Sequence, residues 1–166
     1  GAMDVQGLGD ALVDQLLAKN LVVDAADLYR LEAGTLAGLD RMGPKSAANL
    51  LAELAESKGR PLHRVLFALG IRHVGERAAK VLASRFGSLD AIAAATEDDL
   101  TGVDEIGPKT AASVRRFFEQ EGNRRFVRRL GEAGVRPPSE EASPPPAASP
   151  LSGKTVVLTG TIAGMT

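Results

Sequence analysis

The 166-residue sequence contains no cysteine and no tryptophan. Without cysteine, a disulfide framework and a thiolate metal site are both excluded. Aromatic residues make up 4% of the chain, too few for the exposed rings on which single-strand and RNA binders stack bases. No run is apolar enough to cross a bilayer and none reads as a secretory leader, so a soluble, cytoplasmic monomer without membrane contact is expected. An excess of charge is lacking too. The formal net charge is −1, which taken alone argues against a nucleic-acid binder.

The charges that are present are segregated. Residues 1–40 carry seven acids and two bases, whereas 58–86 carry seven bases against one acid, Glu76. Residues 89–105 turn acidic, and 108–130 return to seven bases against two acids. Segregation can place a basic face on a near-neutral chain, although solvated helices alternate in the same way.

What the sequence does have is a repeat. Four copies of one pattern read Val5-Gln6-Gly7-Leu8-Gly9, Leu39-Asp40-Arg41-Met42-Gly43, Ile71-Arg72-His73-Val74-Gly75 and Val103-Asp104-Glu105-Ile106-Gly107. Their final glycines lie 34, 32 and 32 residues apart, and each is followed by an amphipathic run rich in small residues. A fixed period marks a repeated supersecondary unit, here helix, tight turn, helix. The final glycine is expected to supply positive φ and a surface without a side chain at the helix entrance. There the first N–H groups lack internal partners and point outward at the positive end of the macrodipole. Leu8, Met42, Val74 and Ile106, just before the glycines, are expected to tuck inward. The result would be four sockets for phosphate oxygens, reading backbone shape rather than base sequence.

Residues 1–135 read as short helices. Asp24 and Asp27 cap a helix running through Leu28 to Leu31, Thr96 to Asp99 has capping-box spacing, and Pro44 and Pro108 suit first helical turns. Ala47, Leu50, Leu51 and Leu54, like Ala111, Val114 and Phe118, have the spacing of a core-facing stripe. Alanines early in each second helix (Ala47, Ala48, Ala78, Ala79, Ala111, Ala112) suggest close approach of neighbours. Over 136–152, six of the nine prolines gather among Ser, Ala and Glu, the composition of an extended linker. Residues 153–166 open with a turn and the strand-like run Thr155-Val156-Val157-Leu158. One strand cannot fold alone, so a truncated α/β segment is expected there. The fold class is therefore all-α, with four turn motifs in two pairs, a linker and the start of a second domain.

The repeats resemble helix-hairpin-helix motifs, and the tail resembles the opening of a BRCT domain. In this order they resemble the C-terminal half of the bacterial NAD-dependent DNA ligases. The runs that carry the likeness are Ala2-Met3-Asp4-Val5-Gln6-Gly7-Leu8-Gly9, Asp27-Leu28-Tyr29-Arg30-Leu31, Met42-Gly43-Pro44-Lys45-Ser46-Ala47, Ala68-Leu69-Gly70-Ile71-Arg72-His73-Val74-Gly75-Glu76, and Gly153-Lys154-Thr155-Val156-Val157-Leu158-Thr159-Gly160. The resemblance implies a helical domain that helps encircle nicked double-stranded DNA and contacts its minor-groove backbone. It also implies a parent enzyme that uses NAD, Mg and a structural Zn to join a 5′-phosphate to a 3′-hydroxyl in replication and repair. The lysine of a Lys-x-Asp-Gly motif performs that chemistry by nucleophilic catalysis. No such motif occurs here, and the family's zinc cysteines and OB-fold are missing. The sequence given is thus expected to be non-catalytic and to bind no cofactor itself.

The candidate DNA-binding residues are Gly7, Gly9, Arg41, Gly43, Lys45, Ser46, Arg72, Gly75, Arg77, Gly107, Lys109 and Thr110. Lys45, Arg77 and Lys109 fall two residues after their glycines and would add salt-sensitive attraction; Ser46 and Thr110 would add hydroxyl donors or simply support the first turn. Glu105 would repel a phosphate from the fourth socket. His73 lacks a catalytic partner in the sequence and reads as a turn residue. Arg115, Arg116, Arg124, Arg125, Arg128 and Arg129 either line DNA or tether the acidic segment 89–105. Two other readings compete. A repair nuclease or junction-binding module would lack the Leu151–Gly160 segment, and a protein-docking module would show no salt-dependent affinity for DNA.

Overall fold

A computed structural model describes residues 2–139. The strand expected over 153–166 and most of the linker expected over 136–152 lie outside the described residues. Within them the chain is helical and contains no strand. The helices are α1 (Asp10–Ala18), α2 (Ala25–Leu28), α3 (Ala33–Ala37), α4 (Pro44–Ser57), α5 (Leu62–Ala68), α6 (Glu76–Phe86), α7 (Leu89–Ala94), α8 (Glu97–Thr101), α9 (Pro108–Glu119) and α10 (Glu121–Glu132).

Local chemistry sets several of these boundaries. Pro44 and Pro108 open α4 and α9, where a missing N–H removes no helical hydrogen bond. Asp24 accepts from the Ala26 N–H at 2.9 Å and Asp27 from the Asp24 N–H at 3.4 Å in a capping box at α2, and Asp27 also accepts from the Val23 N–H at 2.9 Å. The Val23 N–H, with Arg129 adding to it, holds the Asp27 carboxyl below the ordinary aspartate range. Thr96 and Asp99 close the same box at α8. The helix expected to reach Leu31 stops at Leu28, because Arg30 and Leu31 donate to the carbonyls of Asp27 and Leu28, three residues back. Such bonds tighten the chain into turns instead of extending the α-helix.

Two apolar clusters form the core. One gathers Leu12, Leu16, Leu36, Ala47, Leu50 and Leu54 from α1, α3 and α4. The other gathers Leu62, Leu66, Leu82, Ile92, Leu100 and Val114, among others, from α5 to α9. A smaller cluster of Ala26, Val65, Leu130 and Val135 lies between them, and α10 supplies Leu130 to it. The expected stripes face these cores: Ala111 and Val114 are fully buried and Phe118 nearly so, while Leu51 packs partly buried beside Leu50. Ala47, Ala79 and Ala111, at the fourth position of α4, α6 and α9, have no exposed surface, so a larger side chain there would overpack the core. The expectation of close packing does not extend to Ala48, which is exposed, or to Ala78 and Ala112, which are only partly buried. Those three lie on the outer side of the same turns.

Candidate nucleic-acid interface

All four repeats fold into the same turn. The N–H of Leu8, Met42, Val74 and Ile106 donates to the carbonyl of Val5, Leu39, Ile71 and Val103, at 3.5, 3.1, 3.0 and 3.1 Å. The third residue of each turn is left-handed: Gly7 at φ 83°, Arg41 at 60°, His73 at 64° and Glu105 at 70°. A turn with positive φ at that place is the type II pattern, for which glycine is the ordinary choice. The ends of the turn point inward. Leu39, Ile71, Val74, Val103 and Ile106 are buried, and Val5, Leu8 and Met42 pack partly buried on the first core.

The final glycines behave differently from the sequence expectation. Gly9, Gly43, Gly75 and Gly107 have φ of −90°, −90°, −82° and −79° and occupy the N-cap position of α1, α4, α6 and α9. Positive φ falls two residues earlier, because the turn reverses there before the chain enters the helix in extended geometry. A Cβ built on any of these four glycines meets nothing within 4 Å. Neither backbone strain nor crowding within the protein therefore requires glycine at these caps. The absent side chain leaves room above the helix entrance.

That entrance is bare. None of the four helices has a side-chain cap, unlike α2, α7 and α8. In α4, α6 and α9 the first N–H bonded within the protein is that of Ala47, Ala79 or Ala111, donating to the glycine carbonyl at 3.0, 2.9 and 3.0 Å. Ahead of these, the N–H groups of Lys45 and Ser46, of Arg77 and Ala78, and of Lys109 and Thr110 find no acceptor among the described residues. Exposed donors in this arrangement suit an anion.

Electrostatics distinguishes the four sites. The first turns of α4 and α9 contain no acid, and Lys45 and Lys109 stand there exposed. The first turns of α1 and α6 begin with Asp10 and Glu76, which compete with a phosphate for the same positive end. Lys80, 3.1 Å from Glu76, holds that carboxyl below its ordinary range. Glu105 does not act as a lone repulsive charge. Arg77 grips it with two hydrogen bonds, one of them Nη2 to Oε1 at 2.6 Å. The pairing raises the Arg77 pKa and lowers that of Glu105. It therefore relieves the fourth site and removes Arg77 from free availability at the third. Replacing Glu105 with glutamine is expected to raise affinity for an anionic polymer a few-fold at low salt, and the gain should vanish at high salt. Titration of both proteins in parallel checks this.

Polar contacts link separate turns. Thr110 donates its hydroxyl to the His73 carbonyl at 3.4 Å, so this hydroxyl is engaged by the third turn, and His73 acts as a turn residue. In the first half, Gln15 on α1 donates to the Asp40 carbonyl at 3.3 Å and accepts from the Asp40 N–H at 2.9 Å. The Gln6 N–H reaches Glu53 on α4 at 3.4 Å. An open groove lined by Gln6, Gly7, Ser46 and Glu53 joins the first turn to the start of α4. Arg41 and Arg72 are exposed at the third and second turn positions. Gln15 and Glu53 carry no local signal in the sequence, since their partners lie 25 and 47 residues away.

The arginines beyond the turns divide. Arg115 tethers segment 89–105 by donating to the carbonyls of Ala93 and Ala95 at 3.2 and 3.0 Å, rather than to its acids. Arg125 pairs with Glu121 one turn away at 3.2 Å. Arg129 reaches Asp24 and Asp27, which lie outside the acidic segment 89–105. Arg116, Arg124 and Arg128 are exposed.

Comparison with known proteins agrees with this geometry. Residues 2–56 match the family described as SAM-like helix-hairpin-helix tandem, and residues 64–127 match the helix-hairpin-helix motif. A DNA ligase of Methylococcus capsulatus is 53% identical over 99% of this chain. Those of Pelotomaculum thermopropionicum and Desulforudis audaxviator are 50% and 53% identical over 97% of it. The chain spans about a quarter of the length of these relatives, 24% in each case. Residues 2–56 and 64–127 are thus similar to helix-hairpin-helix segments, in a chain similar along nearly all its length to one quarter of bacterial DNA ligases.

Proposed function

We propose that this chain grips double-stranded DNA by its phosphate backbone, without reading sequence, through four helix-hairpin-helix motifs arranged as two pairs. The observation that carries the reading is the glycine at each uncapped helix entrance, which the fold itself does not need. The backbone N–H groups behind Gly9, Gly43, Gly75 and Gly107 would donate to phosphate oxygens, with Gly7 keeping the first turn open. Arg41, Lys45, Arg72 and Lys109 would add counterion-releasing charge, while Arg77, Ser46 and Thr110 would contribute at the edges. The acid-free sites at Gly43 and Gly107 would bind most strongly, one in each pair.

The likeness to DNA ligases supports a place in an enzyme that joins 5′-phosphate and 3′-hydroxyl ends at nicks, in replication and repair. On this reading the chain works as a cytoplasmic monomer that positions DNA, and NAD-dependent chemistry is supplied elsewhere in the enzyme. The residues present do not fit the metals of that chemistry. The sequence has no cysteine for zinc, and among the described residues no three of His, Asp and Glu converge on a metal position. The division into a helical domain over 1–135, a linker over 136–152 and a BRCT-like start over 153–166, with its unknown protein partner, rests on the sequence pattern.

Binding to a labelled nicked duplex across a salt series, with single-stranded DNA alongside, tests the proposal. Affinity that favours duplex and falls steeply with salt is expected. Equal affinity for single strands, or none at low salt, would point to a docking module instead.

A further inference from the structure

The two halves of the molecule meet along a seam with an imperfect apolar filling. A cavity of about 260 Å³, lined chiefly by apolar side chains such as Met3, Leu28, Tyr29, Val65, Leu69 and Phe126, lies within it. Side chains facing a void lose the dispersion contacts that otherwise fix a packed interface. The relative placement of the halves then depends on the small buried cluster of Ala26, Val65, Leu130 and Val135 as well as on directional bonds across the seam.

The best-placed of these belong to Arg129. Its Nη1 donates to Asp24 and its Nη2 to Asp27, 105 and 102 residues away. The guanidinium side chain is 27% exposed, and its partners 30% and 19%. Both carboxylates are already fixed by backbone donors at the start of α2, Asp24 by the Ala26 N–H and Asp27 by the N–H groups of Val23 and Asp24. The fork therefore meets two preset acceptors, a geometry a lysine ammonium cannot reproduce. On one side α2 is joined to the first core through Leu28 and Tyr29; on the other, α10 is joined to the second core through Val127. Other polar links lie elsewhere on the seam. Arg64 donates to the Ala2 carbonyl at 2.7 Å and pairs with Asp4 at 3.8 Å, the Arg136 N–H donates to the Lys58 carbonyl at 3.2 Å, and Arg30 pairs with Glu132 at 3.7 Å on the surface.

We propose that Arg129 is a positioning residue that locks the two pairs of turns into one rigid body, so that both engage the same duplex at once. The lock rests on geometry alone; its consequence for binding rests on the phosphate-gripping reading above. Two weak sites held at fixed separation bind as one strong site through a high effective concentration, which is lost when the separation fluctuates.

The absence of cysteine permits a direct test on the full chain. Ala55 and Ala94, exposed in opposite halves, are replaced by cysteine and spin-labelled, and the distance distribution is measured with Arg129, Arg129→Lys and Arg129→Ala. A narrow distribution is expected to broaden at least about twofold in R129A and partly in R129K, with helix content unchanged. Affinity for a duplex long enough to span both pairs should fall about tenfold in R129A. Affinity for a duplex that spans one pair should stay constant. If R129A does not fold, R129K and Asp24→Asn, which keeps the cap acceptor, carry the test. A distribution of unchanged width overturns the lock, and a broadened one with undiminished long-duplex affinity overturns its role in binding. A broadened distribution in a protein that never binds DNA with salt dependence supports the lock and refutes the phosphate reading instead.

Discussion

Replacing Gly43 and Gly107 together with aspartate is expected to leave the protein as stable as before, or slightly more so, and to weaken duplex DNA binding about a hundredfold. Stability should hold because both glycines sit at N-caps with ordinary negative φ and open space where a Cβ would stand. Aspartate is a preferred N-cap, better than glycine by a few tenths of a kcal/mol, and its charge favours the helix dipole by about 0.3–1 kcal/mol at an exposed site. Binding should fail for the same reason. The new carboxylate would accept from the N–H groups of Lys45, Ser46, Lys109 and Thr110, which are otherwise unclaimed. Each charge-assisted hydrogen bond lost is worth about 1.5–3 kcal/mol, so losing one per site gives at least the stated factor. The same change at Gly9 and Gly75 should cost less, because Asp10 and Glu76 already offset the positive end of those helices. Thermal unfolding and a duplex titration on the same samples separate the two effects. A variant that loses stability and affinity together would assign these glycines to folding.

Leu82→Ala is expected to destabilise the molecule by about 3 kcal/mol. Leu82 is fully buried in the larger core, beside Leu66, Ile92 and Val114. Truncation would remove apolar contact from the core to which α5 to α9 contribute, leaving a cavity that close packing refills only in part. A loss of this size lowers the unfolding midpoint by about 10 °C in a domain of this length and is a large share of a total stability of about 5–15 kcal/mol. The control is Leu17→Ala. Leu17 is 48% exposed and should change stability by about 0.5 kcal/mol or less. Similar losses at the two positions would mean that the larger core does not hold the turns at Gly75 and Gly107.

Much of this architecture was legible because its signals are local. The turn copies, the prolines after Gly43 and Gly107, the capping box at Thr96 and the buried stripe of α9 each depend on residues a few positions apart. The left-handed residue of each turn was hidden because three of the four copies place Arg41, His73 and Glu105 where only the first uses glycine. An L-residue held left-handed costs about 1–2 kcal/mol. Here the apolar residues on either side of it anchor the turn to the core and sustain that conformation. Of the two uses of glycine at the helix cap, positive φ is not taken up, whereas the open space above the helix entrance is there. The contacts that join these segments could not be read in advance. Arg77 with Glu105, Gln15 with Asp40 and Arg129 with Asp24 are contacts between segments 25 to 105 residues apart. Charge patterning left Arg129 either lining DNA or tethering the acidic segment 89–105, whereas the fold brings it to the cap of α2.

The measurement closest to the central claim is the movement of individual backbone amide signals as a short duplex is added to the isotope-labelled protein. The account predicts that the N–H signals of Gly43, Lys45, Ser46, Gly107, Lys109 and Thr110 shift first and furthest, followed by those around Gly9 and Gly75. It predicts that these shifts reverse as salt is raised. Shifts confined to the exposed arginines of α10, with the amides at the four helix entrances unmoved, would contradict it.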